Sequence, residues 1–240
     1  MSGAVFTPTA PTRAGARGRW FYLVMVSLMF LVVGWVEGWS FFLVGFYHPP
    51  DFRSEVIHVH VAVVATWLLV LMAQTVLARV NNLALHRRLG AAGAVLAAMM
   101  LVMGLLATAD MLHREANSTA VAIVPFTQIL NFALFAALAY ALRRNREMHK
   151  RLIVLAMVDP LFGVLIPVTH RYLQSIERFA NFSWVILALL VGYDLWTRRR
   201  VHPVTVWGSL WLILVQEVRV PIGQTAAWMA IAQWMRSWGV

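Results

Sequence analysis

The sequence predicts an all-α fold, a polytopic helical transmembrane bundle with about seven spans. Apolar residues make up 61% of the 240 positions and charged residues 12%, and the mean hydropathy is +0.72, as in polytopic membrane proteins. Apolar runs of roughly 20 residues, the length that a helix needs to cross a bilayer, alternate with short basic segments. The absence of cysteine excludes disulfides, thiolate metal sites and iron–sulfur clusters.

The apolar runs assign the helices one after another. Residues 1–19 are rich in Ala, Thr, Gly, Pro and Arg and predict a disordered cytosolic tail, and residues 20–240 predict a single transmembrane domain. The stretch after residue 203 is too long for one straight span and contains Pro221. We therefore expect either a kinked helix or a helix followed by an interfacial segment. The predicted spans are 20–46, 56–79, 86–109, 119–142, 149–170 and 181–197, and a seventh that begins near 203.

The basic residues predict how the chain is oriented. Fourteen of the twenty Lys and Arg residues fall in the N-terminal tail and in every second loop, on one side of the predicted membrane. The positive-inside rule then places the N-terminus in the cytosol of a bacterial inner membrane, and an odd number of spans places the C-terminus outside. This distribution argues against nucleic-acid binding and predicts a lipid bilayer, including its anionic lipids, as the partner.

The fifth predicted helix carries a charge near the membrane midplane. His149 and His170 bracket this helix and lie ~31 Å apart, with Asp159 near the middle. Ionisable residues inside a membrane commonly mark functional sites, although Asp159 is equally explained by pairing with an arginine. Polar residues on other helices are predicted to face the same interior or to act as interhelical hydrogen-bond partners. The interior candidates are His60, Gln74, Asp159, His170, Glu217 and Arg219.

Two histidines open the third and fifth predicted helices on the cytosolic side. His86 and His149 begin parallel helices at similar depth, and two neutral imidazoles from neighbouring helices can ligate a haem b iron axially. The alternative is that both are interfacial histidines next to basic residues that bind lipid phosphate. Those predicted headgroup-binding residues are Arg87, Arg88, Lys150 and Arg151.

A divalent metal site is a further hypothesis. Zinc bound by histidine and carboxylate needs three ligands that converge at one depth, and the sequence offers His60, His170 and either Asp110 or Glu217. The distance between the second and fifth helices decides whether these ligands meet. An intramembrane hydrolase built on such a site is the weakest of the hypotheses.

Several of these motifs resemble known families. The chain resembles uncharacterised bacterial multi-pass membrane proteins of the DUF2306-like kind in His60, Trp67 and Gln74, in His86-Arg87-Arg88-Leu89-Gly90, and in His149-Lys150-Arg151 and Arg171. More distantly, histidines near the ends of successive helices resemble cytochrome b561-type proteins, which hold two b-haems between four helices. The fourth predicted helix contains no histidine, so the resemblance implies one haem at most, between the third and fifth helices.

These observations leave three functional hypotheses. The first is a membrane subunit for electron transfer with a histidine-ligated haem or metal redox centre. The second is a proton-coupled transporter whose polar path surrounds Asp159. The third is a noncatalytic assembly or lipid-interacting subunit that uses the basic clusters.

Overall fold

The computed structural model describes residues 13–37, 54–114, 119–172 and 177–239, with side chains for 20–34, 54–114, 119–161 and 183–239. Every regular element within these ranges is an α-helix, so the predicted all-α class is confirmed. The helices are α1 (Arg13–Glu37), α2 (Glu55–Arg79), α3 (Leu83–Arg114), α4 (Ile123–Ala141), α5 (Arg146–Tyr172), α6 (Glu177–Arg198), α7 (Pro203–Gly223) and α8 (Ala226–Arg236).

The helix boundaries differ from the predicted ones mainly at the two ends of the chain. Helix α1 begins at Arg13, inside the predicted tail. Pro221 lies within the last turn of α7, where its missing N–H removes one helical hydrogen bond, the one to the carbonyl of Glu217, and only two residues of the helix follow it. The break follows at Gln224, and Thr225 begins α8 by accepting a hydrogen bond from the Trp228 N–H. The last stretch is therefore a helix followed by a second, short helix.

Helices α1 to α5 close into a ring. Each packs against the next along the chain, and α5 packs back against α1. Aromatic and sulfur-containing side chains fill the interior, where the indole N–H of Trp67 donates to the sulfur of Met157 at 3.2 Å and the Trp67 ring meets Phe132 edge to face. Helices α6 and α7 lie outside the ring against α5, and α7 also contacts α4.

Two glycines allow the helices to approach closely. A Cβ atom on Gly104 of α3 would lie 2.6 Å from a side-chain carbon of Ile129 on α4. A Cβ atom on Gly208 of α7 would overlap the side chain of Leu155 on α5. A larger residue at either position therefore requires the side chain of Ile129 or Leu155 to shift, because packed interiors have little free space.

The bundle has two chemically different ends. Three turns, residues 80–82, 142–145 and 199–202, meet at one end, which we call the basic end because Arg79, Arg87, Arg143, Arg146 and Arg198 to Arg200 surround them. At the opposite, far end, α8 packs across the end of α3 and the start of α4.

Three helices within the described ranges are long and apolar enough to cross a membrane: α2, α3 and α4. The segment Trp20–Gly34 of α1 is apolar but shorter. Fewer helices meet this criterion than the seven predicted spans. The side chains of residues 162–172 of α5 and 177–182 of α6 lie outside the described residues, and in α7 the polar residues Gln216, Glu217 and Arg219 lower the hydropathy.

Candidate functional site

The imidazole rings of His86 and His149 face each other at the basic end. Their centres lie 6.4 Å apart and their planes are nearly perpendicular, at 89°. His86 lies in the first turn of α3 and His149 in the first turn of α5, and both are half-buried. Because the two helices belong to the same ring and begin at the same end, their first turns place both side chains between them.

Backbone carbonyls determine which tautomer each histidine adopts. The Nδ1 atom of His149 lies 2.8 Å from the carbonyl oxygen of Ala139, and that of His86 lies 3.3 Å from the carbonyl oxygen of Gln74. A carbonyl oxygen can only accept a hydrogen bond, so each Nδ1 atom carries the proton. In the neutral ring, Nε2 then keeps a free lone pair, which is the arrangement found in metal-bound histidines.

Gln74 holds His86 from two sides. In addition to accepting from the ring, its side-chain Nε2 donates to the backbone carbonyl of His86 at 3.0 Å. The side-chain oxygen of Gln74 is buried without a hydrogen-bond partner. Gln74 was predicted as an interior polar residue, and its contacts show that it positions an imidazole.

The basic residues that follow the two histidines turn away from the rings. Arg87 and Arg88 are exposed, as headgroup-binding residues should be. Lys150 bonds Glu147 and lies over the ring of Tyr22. Arg151 is fully buried and forms ion pairs with Glu147 and Asp194. Its guanidinium is therefore not available to a lipid phosphate, and the prediction that Arg151 binds a lipid headgroup is wrong.

The separation of the two ring centres can be compared with the separation that a metal bound by two imidazoles would require. A metal that bonds both Nε2 atoms at about 2 Å places the two ring centres roughly 6 Å apart, close to the observed separation. Across the described side chains, no group of three or more His, Cys, Asp or Glu residues is arranged to hold a metal ion. A porphyrin supplies four nitrogen ligands itself, so a haem would need only two protein ligands, and His86 and His149 are the residues that would hold it.

Asp159 lies fully buried in a second polar cluster, between α4, α5 and α7. Its Oδ2 atom accepts a hydrogen bond from the Asn131 amide at 2.6 Å, and its Oδ1 atom accepts one from the Gln216 amide at 2.9 Å. The guanidinium of Arg219 lies 3.5 Å from Oδ1. Both amide residues and Arg219 are also buried, and Asp159 therefore meets three donors within the bundle.

Indole groups fix the orientation of both amides in this cluster. Trp211 Nε1 donates to the side-chain oxygen of Asn131 at 2.9 Å, and Trp184 Nε1 donates to that of Gln216 at 3.0 Å. An indole N–H can only donate, so each amide must turn its NH₂ group towards Asp159. The described neighbours of the two carboxyl oxygens are therefore all hydrogen-bond donors.

A third cluster, at the basic end, was not predicted from the sequence. Asp194 and Arg151 are both fully buried and form an ion pair in which Arg151 Nε lies 3.1 Å from Asp194 Oδ1. The Thr205 hydroxyl and the His202 backbone N–H donate to the other oxygen at 2.6 and 3.0 Å. This cluster joins α5, α6 and α7. The sequence feature that could have indicated this cluster is Asp194 itself, an acidic residue within the apolar run of the sixth predicted span.

The remaining predicted residues do not form a common site among the described side chains. Asp110 is buried and pairs with Arg114 one turn further along α3. His60 is half-buried and its Nδ1 atom has no hydrogen-bond partner, while Glu217 is exposed. The side chain of His170 lies outside the described residues, so its predicted meeting with His60 and Asp159 stays a prediction.

Comparisons with protein-family models, curated proteins and solved structures find no match to this chain.

Proposed function

We propose that this protein holds a haem b between His86 and His149 and carries electrons as a subunit of a membrane redox system. The observation that supports the proposal is the histidine pair itself, with both Nδ1 atoms bound to carbonyls and the ring centres 6.4 Å apart. A haem iron with two imidazole ligands has no open coordination position, so it would transfer single electrons rather than bind a substrate. The distant cytochrome b561 resemblance agrees with this proposal.

We further propose that α1 to α7 all span a bacterial inner membrane, with the basic end in the cytosol. Three helices meet the length and apolarity criterion outright. The buried charges of α5, α6 and α7 are paired inside the bundle, which lowers the cost of placing these helices in lipid. The positive-inside rule assigns the basic end to the cytosol, where its exposed arginines would meet anionic lipids.

The haem proposal is favoured over a proton-coupled carrier by the surroundings of Asp159. A carrier residue must accept and release a proton, whereas both oxygens of Asp159 already accept hydrogen bonds from fixed donors. The carrier hypothesis predicts that Asp159→Asn abolishes proton-linked uptake in a system where the unaltered protein is active. Unchanged uptake would remove that hypothesis.

An absorption spectrum with metal analysis on one purified sample tests the haem proposal. The unaltered protein is expected to show a Soret band and one iron per chain. Removing either axial ligand, in His86→Ala or His149→Ala, is expected to abolish the band or change it to that of a five-coordinate iron.

His113→Ala is the matched control, because His113 is an exposed histidine on the same helix as His86 but at its far end. This variant should keep the full spectrum. If the unaltered protein has neither a Soret band nor stoichiometric metal, the redox function fails. Stoichiometric metal without a Soret band would reject the haem and leave a metal ion as the redox centre.

A further inference from the structure

Helix α8 packs one face against the far end of the bundle. Trp228, Ala232 and Met235 are buried there, against Leu112 at the end of α3 and Ile123 at the start of α4. The spacing of these three positions, four and then three residues, places them on one side of a helix. The rest of the helical surface points away from the described part of the protein.

Polar contacts hold α8 in this position. The indole N–H of Trp228 donates to the carbonyl of Thr119 at 2.7 Å. Arg236 donates to the carbonyl of Leu112 at 2.8 Å and to the hydroxyl of Thr119 at 3.0 Å. Leu112 lies in the last turn of α3, where carbonyls lack helical partners and a cation is favourable. The only charged residue of α8 is thus bound to the protein.

The outward face of α8 is almost entirely apolar. Trp234 is 63% exposed, Ile231 42% and Met229 39%. Gln233 is the single polar side chain among the exposed residues of the helix, which also include three alanines. A helix that faces water usually carries charged residues on its outer face, whereas a helix that is apolar all round is surrounded by apolar material.

We propose that the outward face of α8 lies in the membrane, at the boundary between the hydrocarbon and the headgroups on the far side. The protein covers one face of the helix and lipid covers the other. The surface continues along the neighbouring end of α7, where Val220 and Ile222 are also exposed. Tryptophan favours the interfacial depth, so Trp234 marks where the helix lies.

Spin labels on single cysteines test this assignment directly, because the natural chain has no cysteine. The full-length variants Met229→Cys and Ile231→Cys would be labelled and placed in phosphatidylcholine nanodiscs. Arg144→Cys provides a water-facing control, since Arg144 is exposed in the turn at the basic end. The measurement compares collisions of each label with oxygen, which concentrates in lipid, and with a water-soluble nickel chelate.

Labels at positions 229 and 231 are expected to collide several-fold more with oxygen than with the nickel chelate, and the label at position 144 to show the reverse. Nickel accessibility at 229 and 231 equal to that at 144 would place α8 in water and overturn the proposal. Low accessibility to both reagents would show that protein, such as a second copy of this chain, covers the face, and would also overturn it. Neither result depends on haem binding.

Discussion

Asp159 and Asp194 are both fully buried carboxylates in the same bundle, yet the protein neutralises them differently. Asp194 has a close ion pair with Arg151, supported by a hydroxyl and a backbone N–H. Asp159 receives its shortest hydrogen bonds from two amides, and its arginine is at 3.5 Å. Along α5, Arg151 and Asp159 are separated by only ~12 Å. Two solutions to the same electrostatic problem therefore lie side by side.

The difference shows that a buried anion can be balanced by a full charge or by oriented dipoles. Folding buries the charges of Arg151 and Asp194 together. Removing one of the two residues leaves the charge of the other buried without its partner. Around Asp159, the amides depend on Trp211 and Trp184 for their orientation, so the stabilisation is distributed over several residues. The first cluster should be sensitive to charge, and the second to the direction of its hydrogen bonds.

The largest effect is expected for Asp194→Asn. Among the described residues, this change leaves the fully buried Arg151 with the half-exposed Glu147 as its remaining anionic partner, at a cost of about 3–5 kcal/mol in the free energy of unfolding. The measurement is denaturation of the purified protein in mixed detergent micelles, followed by circular dichroism.

Asp110→Asn is the matched control for this variant. Asp110 is buried like Asp194, but its partner Arg114 is 35% exposed and remains hydrated when the pair is lost. The expected cost is about 0–1 kcal/mol. Equal losses in the two variants would contradict the view that burial of the arginine dominates the effect.

Asp159→Asn is expected to have an intermediate effect, about 1–3 kcal/mol. The new amide turns an NH₂ group towards the donor of either Asn131 or Gln216 and removes the anion that faces Arg219. The change in unfolding free energy can be measured in the same detergent assay.

A swapped double variant separates hydrogen-bond direction from simple loss of charge. Combining Asn131→Asp with Asp159→Asn moves the carboxylate to α4, where it accepts from Trp211 and from the new amide at position 159. All donors then have acceptors, so the double variant should recover most of the stability lost in Asp159→Asn. If it is less stable than both single variants, the assigned amide orientations are wrong.

The smallest effect is expected at Glu147, on the surface of the Arg151 cluster. Burial alone would raise the pKa of this carboxyl, but hydrogen bonds from Lys150 and Arg151 more than offset it and lower the pKa from 4.5 to about 2. A lowered carboxyl pKa stabilises the folded state above the unfolded value, and this contribution is lost as the pH falls from about 4.5 towards 2.

Glu147→Gln should therefore remove part of the acid sensitivity of the melting temperature. The side chain is 43% exposed, so the loss at neutral pH should be slight. Comparing the melting temperatures of the two proteins between pH 6 and pH 3 checks this, because the difference between them should shrink on acidification. A constant difference across this range would show that the three cations around Glu147 do not stabilise its ionised form.

The sequence predicted the helical class and the positions of most helices because hydropathy is a property of consecutive residues. The turns at 80–82 and 142–145 follow the predicted loops closely, and the split near Pro221 falls a few residues later than its proline. The ion pair of Asp194 with Arg151 could not be predicted in the same way. Which basic residue turns inward depends on the rotation of α5 against α6, and that rotation is set by packing.

The sequence by itself determined that this is an α-helical protein with membrane-like composition, a basic end and two histidines at the starts of helices, since these features follow from local composition and periodicity. Only the tertiary structure decided that the two imidazoles meet with their Nδ1 atoms bound to carbonyls, that two buried carboxylates have different partners, and that α8 folds back across α3 and α4. The physical reason is that these contacts join helices distant in the sequence, and side-chain packing selects the faces that meet.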